Sequence, residues 1–174
     1  MILKALSAIV LVAVAGVLGA AATRPDSFRV ARSTTVQAPP ERLHGLIADL
    51  RQFKTWNPFD RDPASQGSYR GPAAGVGAAY DFAGGSAGDG SLRIVDATPS
   101  RVTMELHMRK PLETRNNVQF TLQPRDGGTE VTWAMDGPMP FVSKVMTLFV
   151  DMDRMLGGQF ESGLADLKRA AERR

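Results

Sequence analysis

The chain has 174 residues, a formal net charge of +3 and no cysteine. Lacking thiols, it offers no thiolate zinc site, iron–sulfur cluster or cysteine nucleophile, and the roughly 150 residues behind an apolar leader suffice for one self-supporting core. Basic residues are scattered among acidic ones, with one short cluster at Lys168, Arg169, Arg173 and Arg174, so the basic stripe with interleaved aromatics of a nucleic-acid surface is missing.

Between Met1 and Ala22 the one charged side chain is Lys4, and Ala5 to Ala22 is an unbroken run of apolar or small residues. About 20 such residues span a bilayer core, so residues 1–24 read as a transmembrane anchor, with a signal peptide cleaved near Ala20, Ala21 and Ala22 as the competing reading. The expected location is membrane-anchored, or secreted if the leader is cleaved. Lys4 on one flank and Arg24, Arg29 and Arg32 on the other leave the side open, with the periplasmic or extracytoplasmic face as the working expectation.

Residues 25–174 read as a single domain. Phe28, Val30, Arg32, Thr34 and Val36 alternate with Arg29, Ala31, Ser33, Thr35 and Gln37, which predicts a first strand. Pro39 and Pro40 then pre-set a helix in which Leu43, Leu46, Ile47 and Leu50 recur at helical spacing. Phe53, Trp56 and Phe59 follow in a second short turn or helix, closed by Trp56-Asn57-Pro58-Phe59, because the residue before a proline is pushed out of helical geometry.

From Asp60 to Gly90 turns dominate, with short strands expected near Ser68–Arg70 and Ala78–Phe82. Clearer strands follow at Ser91–Ala97, Arg101–Arg109, Thr114–Gln123 and Thr129–Asp136. Their connections at Thr98-Pro99-Ser100, Lys110-Pro111 and Arg125-Asp126-Gly127-Gly128 are too short for parallel crossovers, so these strands run antiparallel. Pro138 and Pro140 introduce a long final helix to about Glu172, roughly 45–50 Å if unbroken, with a bend expected at Gly157 and Gly158. The pattern of a strand, two helices, a run of strands and a long helix is that of an α+β fold in which a curved antiparallel sheet wraps around the C-terminal helix.

Alternation also assigns faces. Val102, Met104, Leu106 and Met108, then Val118, Phe120 and Leu122, then Val131, Trp133 and Met135 point one way, while Thr103, Glu105, His107, Arg109, Gln119, Thr121, Glu130 and Thr132 point the other. The apolar face must be covered, and the final helix offers a stripe of Phe141, Val145, Leu148, Phe149, Met152, Met155, Leu156, Phe160, Leu164 and Leu167. Its first ten residues are apolar nearly all round. Eight methionines in the chain suit either an adaptable cavity or an ordinary core.

The run Thr35-Val36-Gln37-Ala38-Pro39-Pro40-Glu41-Arg42-Leu43, then Leu50, Trp56-Asn57-Pro58-Phe59, Gly71 to Gly77, Thr129-Glu130-Val131-Thr132-Trp133 and Gly137-Pro138-Met139-Pro140 resembles the START-like polyketide cyclase/dehydrase (SRPBCC) superfamily, in its membrane-tethered bacterial branch. The resemblance covers Phe28 to Ala171. It implies a helix-grip fold with a hydrophobic cavity between sheet and C-terminal helix, and a lipid, quinone or polyketide-like ligand, without implying one activity. Cavity candidates are Trp56, Phe59, Tyr80, Met104, Leu106, Asn116, Phe120, Trp133, Met146, Phe149 and Met152.

Chemistry is sparse. His107 has the parity of the wet face and His44 sits near a helix start, so neither is placed as a general base. The two histidines are far apart in sequence and lack clustered carboxylates, which is a poor metal site. Asp151 and Asp153 read as a solvated or capping pair, and the glycines of Gly71 to Gly77 lack the ending of a phosphate loop. No catalytic constellation, metal or cofactor is expected. The leading expectation is a non-catalytic binder or carrier of an apolar small molecule, with no nucleic-acid partner and with the membrane met only through the leader. The alternatives are a cyclase/dehydrase-type enzyme on an aromatic substrate, for which Tyr80 and Asn116 would donate hydrogen bonds to a carbonyl, and a protein-docking module exposing Trp56, Phe59 or the region of Phe141.

Overall fold

The alternating segments become strands in a computed structural model that describes residues 2–173. Met1 and Arg174 lie outside the described residues, as do the side chains of Ile2, Leu3, Lys4, Ala5 and Ala8, so the start of the leader and the end of the basic cluster fall outside them. The strands are β1 (Ser27–Val36), β2 (Gln66–Arg70), β3 (Ala79–Ala83), β4 (Asp89–Thr98), β5 (Arg101–Lys110), β6 (Thr114–Arg125) and β7 (Gly128–Pro138). They form one seven-stranded sheet in the order β1-β7-β6-β5-β4-β3-β2. Every neighbouring pair is antiparallel, as the short connections require.

β1 closes one end by pairing with β7 from Ser27 opposite Pro138 to Val36 opposite Thr129. β4 carries register shifts at Asp89/Gly90 and Ile94/Asp96, and such bulges bend a strand and increase its twist. The sheet therefore curls. On its concave face Val102, Met104, Val118, Phe120, Leu122, Val131, Trp133 and Met135 are buried, the side that alternation predicts. The convex face carries ion pairs such as Arg115–Glu105 at 2.8 Å and Arg125–Glu130 at 3.2 Å.

Between β1 and β2 run α2 (Pro40–Ala48), α3 (Leu50–Trp56) and a 3₁₀ turn at Pro58–Asp60. Pro40 opens α2 where its missing N–H costs nothing. Asp49 separates the two helices, and its side chain accepts a 2.8 Å hydrogen bond from the Arg51 N–H, which caps α3. Leu43, Ile47, Leu50, Phe53 and Trp56 face inward and are buried.

The final helix differs from the expectation. It is two helices, α4 (Phe141–Met146) and α5 (Met152–Glu172). The break falls at the intervening turn rather than at Gly157 and Gly158, both of which lie inside α5. Asp151 explains it: its backbone is extended and its side chain accepts from the Arg154 N–H at 3.0 Å, so it starts a new helix as an N-cap. α5 has 21 residues and extends about 31 Å, not the longer span of an unbroken rod. Its buried face is Gly157, Phe160, Gly163, Leu164, Leu167 and Ala171. Phe141, Phe149 and Met155, expected on the buried stripe, are 47%, 73% and 55% exposed, and the cavity candidate Met146 is 59% exposed, because most of them sit on α4 and the turn, which lie beyond the part of the helix that the sheet grips.

The leader forms α1 (Ile2–Ala22), packed against α4. Among the described residues no helix is long and apolar enough to cross a membrane. That finding overturns the transmembrane anchor and the membrane-anchored location drawn from it. α1 has the length of a span at 21 residues, but its last turn is docked on the domain, with Ala21 fully buried.

Candidate ligand-binding cavity

Where β3 to β7 curl away from the first turns of α5, side chains do not meet, and a cavity of about 520 Å³ opens. The sheet contributes Tyr80, Phe82, Leu92, Leu106, Met108, Asn116, Val118, Trp133 and Met135. Opposite them stand Met155, Leu156, Gln159 and Phe160 of α5, with Phe53, Asn57, Pro58, Phe59 and Asp60 from α3 and the 3₁₀ turn. The walls are mainly apolar, as small-molecule sites are.

Aromatic rings form one end. Trp133 stacks on Phe160 with centroids 4.4 Å apart and planes 10° apart. Phe120 lies 5.0 Å from Trp133 and Phe59 meets it edge-on at 6.4 Å. Gly163 permits this approach, since a Cβ there would lie 2.7 Å from the Trp133 ring and 2.8 Å from Pro58. Ser65, Ser86 and Ala87 also line the cavity. Asp62 ties the loops that carry them: its carboxylate accepts from the Ala64 N–H at 2.9 Å and the Ser86 N–H at 2.8 Å, and those bonds hold its carboxyl below the ordinary aspartate value. Gly85, with φ of +67°, lets the β3–β4 turn approach that carboxylate.

The polar content of the interior is small and oriented. Asn57 donates its amide N–H to Asp60 at 2.6 Å, and Asn116 donates to the Thr114 hydroxyl at 3.2 Å, which turns each amide so that its oxygen remains an acceptor. Asn57 Oδ1, Asn116 Oδ1, the Tyr80 hydroxyl and Trp133 Nε1 are buried with no protein partner. The Lys54 ammonium lies 5.3 Å from the Tyr80 ring centroid; the phenol beside it holds the ammonium above the ordinary lysine value without satisfying the hydroxyl in hydrogen-bonding geometry.

Of the sequence candidates, Phe59, Tyr80, Leu106, Asn116 and Trp133 line the cavity. Trp56, Met104 and Phe120 are buried in the neighbouring core, where the Trp56 Nε1–H donates to the Leu46 carbonyl at 3.0 Å. Met146, Phe149 and Met152 lie at the end of α4, in the turn and at the first residue of α5, off the lining; the helix side of the cavity begins at Met155 instead. Sequence reasoning missed Asn57, Asp60, Phe82, Leu92 and Gln159. Phe82 shares strand parity with Tyr80, a usable signal, whereas nothing local shows that the Asn57 amide turns inward. His107 Nε2 lies 3.1 Å from Glu113, and neither histidine borders the cavity.

A second cleft of about 210 Å³ lies between the start of α3 and the turn before β3, lined by Leu50, Arg51, Tyr69 and Gly71 among others. The Arg51 guanidinium lies 4.4 Å over the Tyr69 ring, and no unpartnered buried polar atom faces it. The larger cavity is the stronger candidate.

Solved structures share this architecture. A protein from Chromobacterium violaceum, CV1439, aligns with a TM-score of 0.61 at 18% identity, over 87% of this chain and 100% of that one. DynU16, a putative protein in the dynemicin biosynthetic locus, aligns at 0.57 and 18% over 86% of this chain and 48% of its own. The di-domain ARO/CYC StfQ from the steffimycin biosynthetic pathway aligns at 0.60 and 12% over 84% and 51%. At these identities the likeness is one of fold. No curated protein matches the chain. The family described as polyketide cyclase/dehydrase and lipid transport matches residues 27–172, from the first residue of β1 to the last of α5, and the chain belongs to that family.

Proposed function

We propose that residues 25–174 bind an apolar-bodied small molecule, of lipid, quinone or polyketide-like character, in the cavity between the sheet and α5, as a non-catalytic binder or carrier. The observation that carries this is the volume of about 520 Å³ left inside a core that would otherwise pack to crystal-like density, and it falls within the range of about 300–1,000 Å³ typical of ligand sites. Asp60 is the one carboxylate on the lining among the described residues and is already engaged by Asn57. Among the described lining residues no histidine, lysine or cysteine accompanies the serines Ser65 and Ser86, which favours a container over a reaction centre.

The test is recovery of bound material. Purified without detergent, the wild-type protein is expected to release an apolar compound on organic extraction and to show it as added mass under native spray conditions. Leu106→Trp, which fills the cavity from β5, is expected to carry none while keeping its far-ultraviolet circular dichroism. A wild-type protein that is repeatedly empty and takes up no N-phenylnaphthylamine, a neutral apolar dye, overturns the proposal.

A further inference from the structure

The charge on the walls of the larger cavity is one-sided. Asp60 is the one carboxylate among its described lining residues, and no lysine, arginine or histidine stands there. An anionic guest would give up water beside that carboxylate with no counter-charge on the walls.

Not every polar group of the lining residues is open to a guest. Asn57 Oδ1, Tyr80 Oη, Asn116 Oδ1 and Trp133 Nε1 are enclosed by protein, so recognition falls to groups that keep accessible surface. Asp60 has such a group. The residue is partly buried, and its Oδ2 takes the Asn57 amide N–H at 2.6 Å. Its Oδ1 has no partner among the described residues and is not one of the enclosed atoms, so that oxygen reaches accessible space.

Other carboxylates of the chain are already spent. Those of Asp26, Asp81, Asp89, Asp153 and Asp166 pair with lysine or arginine, and those of Asp49, Asp62 and Asp151 accept backbone N–H groups. Asp60 has neither kind of partner among the described residues. Its neighbour Arg61 turns to Asp166. Lys54 turns to Tyr80, whose phenol does most to hold the ammonium above the ordinary lysine value, Asp60 the least. The lining that Asp60 shares with Phe53, Phe59, Tyr80 and Phe82 is aromatic, and ring faces attract cations.

We infer that the cavity takes a cationic amphiphile, its apolar body held between the sheet and α5 and its ammonium-type head at the Asp60 carboxylate, in preference to the same body with a neutral or anionic head. This rests on the reading of the cavity as a binding site and adds the charge of the guest to it. Because Asp60 is only partly buried, water screens the pair and the preference is modest.

Diphenylhexatriene, its trimethylammonium derivative and its propionate derivative share one body and differ in charge, and all three brighten in apolar surroundings. Titrated into the protein, the ammonium probe is expected to bind about three- to tenfold tighter than the neutral one, with the propionate weakest. Asp60→Asn keeps an acceptor oxygen for Asn57 and removes the charge; it is expected to erase the preference and to leave the affinity of the neutral probe within about twofold. Raising the salt about tenfold should shrink the ratio of ammonium to neutral affinity in the wild-type protein, a measurement that needs no variant. Leu106→Trp is expected to abolish binding of all three. Equal affinities, tightest binding of the propionate, a ratio indifferent to salt, or a preference that survives Asp60→Asn overturns the inference and leaves the binding site standing. Failure of all three probes to bind, or binding untouched by Leu106→Trp, overturns the binding site itself.

Discussion

Three glycines in α5 report how the helix is gripped, and alanine at each gives a different expected result. A Cβ at Gly158 would meet nothing within 4 Å. Gly158→Ala therefore gains helix propensity and loses backbone freedom in the unfolded chain, a stabilisation of about 0.5–1 kcal/mol. A Cβ at Gly163 would lie 2.7 Å from the Trp133 ring and 2.8 Å from Pro58. Neither can step aside: Trp133 is stacked between its aromatic neighbours, and Pro58 is held in the 3₁₀ turn. α5 must lift instead, and overpacking of this kind costs about 1–3 kcal/mol, which outweighs the propensity gain. Both variants share the propensity gain, so they should differ by the overpacking cost, roughly 1–3 kcal/mol in urea unfolding at constant m-value, with Gly163→Ala the weaker. At Gly157 the obstacle is the Arg32 guanidinium at 2.1 to 2.8 Å, a flexible group that can swing away but would give up Asp153 and Glu161. Gly157→Ala should fall between the other two. A Gly163→Ala protein as stable as Gly158→Ala would refute the close packing of α5 on Trp133 and Pro58, and with it the geometry of the cavity's aromatic end.

Arg32→Met removes bonds of 2.8 Å to Asp153 and 2.7 Å to Glu161; hydrogen exchange should quicken at residues 153–157, beside the cavity, and stay unchanged at residues 163–171. Thr129→Val deletes the fully buried 2.8 Å hydrogen bond to the Ala38 carbonyl and should lower stability by about 1–3 kcal/mol in denaturant titration. Acid provides a further check. Asp26 is held below the ordinary 3.8 by its hydrogen bond with Lys144, Asp81 by Arg70, Asp89 by Lys110 and Asp153 by Arg32. A folded value below the unfolded one means that the stabilisation is complete above 3.8 and is lost as pH falls through the lower folded values. The thermal midpoint should accordingly stay flat from about pH 8 to about pH 5 and drop below about pH 4, more shallowly in high salt because the pairs are largely exposed. A drop already complete at about pH 5 would contradict this assignment.

Much of the fold is written in local patterns. The two-residue alternation of Val102, Met104, Val118, Phe120, Val131 and Trp133 names the buried face of the sheet, because successive strand side chains must point to opposite sides. Short proline- and glycine-containing links force antiparallel neighbours, and Pro40 marks the start of α2. These are properties of neighbouring residues and need no knowledge of what packs against them. The leader shows the limit of the same logic: its apolar run satisfies a length rule, yet the end of α1 docks on α4 and no membrane-spanning helix results among the described residues.

The cavity was only partly legible. Tyr80, Leu106, Asn116 and Trp133 share the inward parity and do line it, but Met104 and Phe120 have the same parity and are packed solid. Parity says which side of a sheet a residue faces, not whether anything fills the space opposite. Phe149 fits a helical stripe and Met146 lies in the all-round apolar start of that segment, yet Asp151 restarts the helix and leaves both outside the grip. Asn57 stood in the Trp56-Asn57-Pro58-Phe59 turn, but nothing local marked it as lining a space bounded by strands distant in sequence. Periodicity along this chain therefore determined its elements and their greasy sides, while the empty volume was decided by where the curled sheet and α5 fail to touch, a distance between elements that no local spacing encodes.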